Sequence, residues 1–133
     1  MKAWALPLVL SLLFLTGCSL TPEERAVREK GLKQVADQFI GAVIASDYKA
    51  AYGLSTGGLG SSASLEKHLK QPWNSSVSLS SGTVASMAWV GDDAAKVKVV
   101  WTFLDGVQMS HSAETTIWTW HDGKWRYEGR TLR

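Results

Sequence analysis

Glu114 follows Ser110 and Ser112 at two-residue spacing and precedes Trp118 by four, in a run from Val107 to Trp120 that alternates as a β-strand does. A period of two puts all four on one face, and the preceding run, Ala95 to Phe103, adds Trp101. A carboxylate among aromatic and aliphatic side chains has its ionisation opposed by desolvation, so it can serve as a base or hold a polar ligand. Trp101, Ser110, Ser112, Glu114 and Trp118 are therefore the ligand-binding candidates, and Glu114 alone is a weak catalytic one. Proton transfer also needs stabilisation of the charge that develops. No partner acid, histidine or oxyanion donor can be assigned to Glu114, and the structural alternative is a carboxylate near a sheet edge or cone mouth that is solvated or paired with Arg126 or Arg130. No residue is assigned as catalytic on this basis.

The other reactive side chains are scattered. His68, His111 and His121 lack metal-ligand spacing and are read as surface residues, one on a polar helix, one on an outer sheet face, one in a turn. A single cysteine, Cys18, excludes an internal disulfide and a cysteine-rich metal site. No cofactor and no metal is expected. The 133 residues, 45% hydrophobic and 20% charged, suit one domain with a core, and a net charge of +2 without basic clusters argues against a nucleic-acid partner.

The elements that position these residues begin after a leader. Met1-Lys2 and the apolar run Ala3 to Leu15 form a signal-like segment too short to span a bilayer permanently. It ends in Leu15-Thr16-Gly17-Cys18, which resembles the lipobox of bacterial lipoproteins. That resemblance implies a signal peptide over residues 1–17, lipidation of Cys18, and a lipidated tether over 18–21 ahead of a single domain over 22–133. Ser19, where an aspartate would retain the protein in the inner membrane, implies an outer-membrane lipoprotein facing the periplasm.

Thr21-Pro22-Glu23-Glu24 starts a long helix: Thr21 caps, Pro22 suits the first position and Glu24 closes a capping box. Leu32, Val35, Ala36, Phe39, Ile40 and Val43 form its apolar stripe, and Gly31 and Gly41 are expected to admit a neighbouring backbone. Ser46-Asp47 ends it, and Asp47 caps a short helix from Tyr48 to Leu54, in which Tyr48 and Tyr52 are core aromatics. A glycine-rich loop leads to a third helix, from Ser64 to just before Pro72.

From Val77 on, β-rich runs are separated by Gly91-Asp92-Asp93, Asp105-Gly106 and His121-Asp122-Gly123, which predicts four antiparallel strands joined by hairpins. If Asp105 and Gly106 are the two central turn residues, Phe103 faces Gln108, Trp101 faces Ser110, Val99 faces Ser112, Val97 faces Glu114, and His111 falls opposite Val100. Across the last turn Trp120 meets Trp125 and Trp118 meets Tyr127. The outer face, with Val100, Leu104, Val107, Met109, Ala113 and Ile117, is less polar than an exposed sheet should be, and a homodimer or protein partner is expected there.

The fold class is thus α+β: one long and two short N-terminal helices packed on a curved, cone-like four-stranded antiparallel meander. Ser46-Asp47-Tyr48-Lys49-Ala50-Ala51-Tyr52 after a long amphipathic helix, and the terminal Asp122-Gly123-Lys124-Trp125-Arg126-Tyr127 hairpin, resemble small lipoproteins of the nuclear transport factor 2-like, cystatin-like superfamily. The resemblance implies a sheet curved around the first helix with a pocket at its open end. Fold does not fix function in that superfamily. The expected function is a non-catalytic envelope lipoprotein, membrane-anchored through Cys18, that binds a partner protein or a small hydrophobic ligand; the alternative is a small isomerase- or cyclase-like enzyme using Glu114 in an aromatic pocket.

Overall fold

A computed structural model describes residues 20–73 and 76–130. The leader over 1–17, the lipidation candidate Cys18 and Ser19 lie outside the described residues. The element order is α1 (Pro22–Ile44), α2 (Tyr48–Gly53), α3 (Ser62–Lys70), β1 (Ser78–Trp89), β2 (Ala94–Asp105), β3 (Gln108–His121) and β4 (Lys124–Arg130), the strands forming one antiparallel sheet in the order β1-β2-β3-β4. This is the α+β meander that the sequence predicts.

The chain divides into two compact units, residues 1–30 and 31–133. In the first, the capping box forms as read: the Glu24 N–H donates to Thr21 Oγ1 at 3.1 Å and the Thr21 N–H donates to Glu24 Oε1 at 2.9 Å. Hydrogen bonding from the Thr21 backbone N–H first, and from its hydroxyl second, holds the Glu24 carboxyl below its usual pKa.

In the second unit Leu32, Ala36, Phe39, Ile40 and Val43 are buried, spaced three and four apart. They meet the inner faces of the strands, where Phe39 stacks on Tyr127 with centroids 4.4 Å apart and meets Trp118 edge-on at 5.5 Å. α1 stops because Ser46 adopts a left-handed conformation, φ 58°. Its N–H donates to the Val43 carbonyl and the Asp47 N–H donates to the Ala42 carbonyl, which together make a Schellman cap. Asp47 then caps α2 by accepting from the Ala50 N–H, so three residues connect the helices. α3 starts at Ser62, two residues earlier than expected, because Ser61 is its cap: Ser61 Oγ accepts from the Ser64 N–H.

The expected close approaches at Gly31 and Gly41 are not where the backbone is crowded. A Cβ on Gly31 would make ordinary contact with Trp125 at 3.9 Å, and one on Gly41 would meet nothing. Crowding falls instead on Gly82 in β1, where a Cβ would lie 2.8 Å from the Trp101 ring and 2.9 Å from Ile40. Only a residue without a side chain lets Trp101 lie flat across that strand.

The two Asp-Gly turns are built differently. Asp122 and Gly123 both have positive φ, 51° and 78°, so both are central residues of a type I′ turn, and Trp120 pairs with Trp125 and Trp118 with Tyr127 as expected. In the other hairpin only Gly106 has positive φ, 63°, which fits a type II′ turn with glycine first; Asp105 stays in the strand and pairs with Gln108. The expected register is therefore corrected by two residues: Phe103 pairs with Ser110, Trp101 with Ser112, Val99 with Glu114, Val97 with Thr116, and His111 faces Thr102, not Val100. Moving a two-residue turn by one position keeps every side chain on its face, so the predicted inner face survives the correction.

Candidate functional site

Glu114 and Arg130 meet through a regular ladder and one bulge. β3 carries Glu114 on the inner face opposite Val99, and a bulge in the β3–β4 ladder brings Arg130 to meet it. Trp118 pairs with Tyr127 but Ile117 pairs with Gly129, so Glu128 is the extra residue. Without that extra residue Arg130 would sit on the outer face; with it, Arg130 pairs with Thr116 on the inner one. The Arg130 guanidinium lies 3.4 Å from Glu114 Oε2, and both side chains are only 9% exposed. The same guanidinium donates to the backbone carbonyl of His68 in α3, while Trp101 Nε1 donates to Glu114 Oε1 at 3.5 Å. Both carboxylate oxygens are thus engaged.

Burial raises the Glu114 carboxyl above its ordinary pKa near 4.5, with Arg130 and then Trp101 pulling it back. Tyr127 is fully buried, and desolvation first, then the neighbouring Glu114 charge, push its phenol well above the usual tyrosine range. Its hydroxyl lies 3.2 Å from His68 Nε2. The structure therefore corrects the reading of His68 as a surface residue: it is half-buried, and burial followed by the Arg130 charge holds it below its ordinary value of 6.5. A helix that looks polar in sequence turns this face inward because Leu65 and Leu69 on either side are both fully buried. His111 and His121 are exposed, as expected. Tyr48 is buried and Tyr52 half-buried.

Trp101 and Trp118 are 0% and 1% exposed. Trp118 Nε1 donates to Thr116 Oγ1 at 2.9 Å and Thr116 donates to the Val97 carbonyl at 2.8 Å, so these polar atoms satisfy one another inside the core. Of the five ligand-binding candidates, Trp101, Glu114 and Trp118 are packed into the interior and Ser110 and Ser112 are exposed at its rim. Among the described residues no group of His, Cys, Asp and Glu is arranged to hold a metal ion.

Open space lies at the rim. One groove of about 390 Å³ runs between Val43 and Ile44 of α1, Tyr48, Lys70, Trp73, Leu79 and Phe103. A second, of about 340 Å³, shares Trp73, Val77 and Phe103 and continues along Gln108, Met109, Ser110 and Ser112. Neither touches Glu114 or Trp118. Trp73, edge-on to both Trp101 and Phe103 at 5.5 and 5.4 Å, separates the rim from the interior. Sequence reasoning did not single out Trp73: it falls between Pro72 and the first strand, outside any periodic run, and only its type marks it. The grooves offer apolar walls with a few hydroxyls, one carboxylate, Asp105 in the second groove, and in the first one cation, Lys70, which sits 5.5 Å over the Tyr48 ring and pairs with Glu66 at 2.7 Å.

Helices followed by a four-stranded antiparallel meander define a cystatin-like α+β fold. The chain is similar to a domain of unknown function with a cystatin-like fold from Nostoc punctiforme, solved as a crystal structure, with a TM-score of 0.58 and 18% identity over 77% of this chain and 74% of that one. At that identity the likeness speaks for the fold alone. Neither a protein-family model nor a curated protein matches this chain.

Proposed function

We propose that this protein is a membrane-tethered envelope lipoprotein acting as a non-catalytic binding module, anchored through lipid on Cys18 to the periplasmic face of the outer membrane. Its ligand is a small hydrophobic molecule or an apolar segment of a partner protein, taken up in the rim grooves around Trp73. The observation that carries this reading is the state of Glu114. Both of its oxygens are held, by Arg130 and by Trp101, and neither groove reaches it, so this acid has no substrate-sized space beside it. A second reading, an isomerase- or cyclase-like enzyme using Glu114 as base, is favoured by the raised pKa of that carboxyl. It requires Arg130 to swing away and a cavity to open where Trp101 and Trp118 now pack.

The tether rests on Leu15-Thr16-Gly17-Cys18, and no described helix is long and apolar enough to cross a membrane by itself. Two or three acyl chains, at about 0.8 kcal/mol per buried CH₂, hold a domain of this size on a bilayer stably. Cys18→Ser is expected to abolish labelling by a fatty-acid probe and to release the protein from the membrane fraction or leave it as unprocessed precursor. A variant that is still processed, labelled and membrane-bound would sink the lipoprotein reading.

A further inference from the structure

We propose that two copies of this chain associate through the free edge of β3, pairing residues 108–114 antiparallel about a two-fold axis at His111. β3 is fourteen residues long; among the described residues its ladder with β4 begins only at Thr116, and the six residues from Gln108 to Ala113 are all exposed. The sheet's other edges are guarded. β1 is bent by two register shifts, between Leu79 and Ser81 and between Val84 and Ser86. β4 is covered at Tyr127, whose N–H donates to the Leu54 carbonyl and whose carbonyl accepts from the Thr56 N–H. The free stretch of β3 has no such device: its ladder with β2 runs without a bulge, and between Gln108 and Ala113 it contains no lysine, arginine, aspartate, glutamate or proline.

The adjacent turn fixes which groups this edge presents. Asp105 and Gln108 flank a two-residue turn and form a hydrogen-bonded pair, so by alternation Met109, His111 and Ala113 direct their N–H and C=O groups away from β2. A two-fold axis at His111 sets these groups against their own copies. Met109 of one copy then faces Ala113 of the other on the outer side, and Ser110 faces Ser112 on the inner side. Gln108 faces Glu114, whose charge is already turned to Arg130. No like charges are opposed, and the paired stretch is self-complementary, as an isologous interface must be. A second copy is the occupant the sequence specifies, because the edge supplies its own matching partner strand.

The test uses the full chain purified in detergent. Sedimentation of the parent is expected to give the mass of two chains, and Ala113→Lys to weaken association at least about tenfold. Ala113→Pro removes an N–H that points away from β2, so it too should dissociate the pair while the circular dichroism and melting temperature stay near those of the parent. Under oxidation His111→Cys should form a covalent dimer, whereas the parent, with Cys18 alone, and Thr83→Cys on β1 should not. A parent that sediments as one chain at every concentration, or a dimer indifferent to Ala113→Lys and not linked through residue 111, would overturn the proposal.

Discussion

Trp101→Ala is expected to lower stability by about 4 kcal/mol in urea melts, near the top of the range for buried aromatic truncations because so little can move into the vacated space. The indole is 0% exposed, lies across the backbone at Gly82, meets Trp73 edge-on and donates to Glu114. Truncation leaves a cavity between α1 and β1 and removes one of the two donors to a buried carboxylate. Val107→Ala, at a turn position that is 100% exposed, serves as the control and should stay within about 0.5 kcal/mol of the parent. A loss below about 1 kcal/mol for Trp101→Ala would mean that the inner face is not the core.

Arg130→Met should cost about 3 kcal/mol at neutral pH, because it strands a buried carboxylate and frees the His68 carbonyl it had satisfied. The pH dependence follows from the sign of the Glu114 shift. Its folded pKa lies above the ordinary 4.5, so between those values the native state holds more protons than the unfolded one, and stability falls as pH rises through that window. Removing Arg130 takes away the largest influence lowering that pKa, so the window widens and the penalty shrinks as pH falls. His68 acts in the opposite sense. Its folded pKa is depressed below 6.5, so its contribution is lost as pH falls through the depressed value. Glu114→Gln keeps the His68 contribution and removes that of Glu114. The double variant Arg130→Met, Glu114→Gln should recover to within about 1 kcal/mol of the parent, since no buried charge is left unpaired. An Arg130→Met protein as stable as the parent, with an unchanged pH profile, would show that the pair contributes nothing.

Much of this arrangement was legible in the sequence because it depends on parity and period. Three- and four-residue spacing from Leu32 to Val43 marked the buried face of α1, and two-residue alternation placed Glu114, Trp118 and Trp101 inward even though the turn was misplaced by one position. The choice between type I′ and type II′ at Asp105-Gly106 was not legible, since the same dipeptide serves both and strand pairing on either side decides. Arg130 was one of two arginines in the last strand that could pair with Glu114. Selecting it requires the bulge at Glu128, whose local mark is Gly129, an isolated glycine within the strand at φ 157°, a sign that does not say which way the register shifts. Gly82 was missed for a related reason: a glycine between Ser81 and Thr83 reads as a weak strand position until the ring that crosses it is known. The rim grooves depend on Trp73 meeting Phe103 from a segment with no periodicity, so no pattern in the chain foretold them.

The most direct test of the binding-module account is a titration of the parent, Glu114→Gln and Leu79→Glu proteins with Nile red, an uncharged apolar dye, read by dye emission and by quenching of tryptophan fluorescence. If ligands enter the rim groove, Glu114→Gln should bind the dye as the parent does, and Leu79→Glu, which places a charge on the groove wall beside Trp73, should weaken binding by about tenfold, or ~1.4 kcal/mol. Loss of binding in Glu114→Gln at an unchanged melting temperature, with Leu79→Glu binding normally, would place the ligand in the interior and contradict the account.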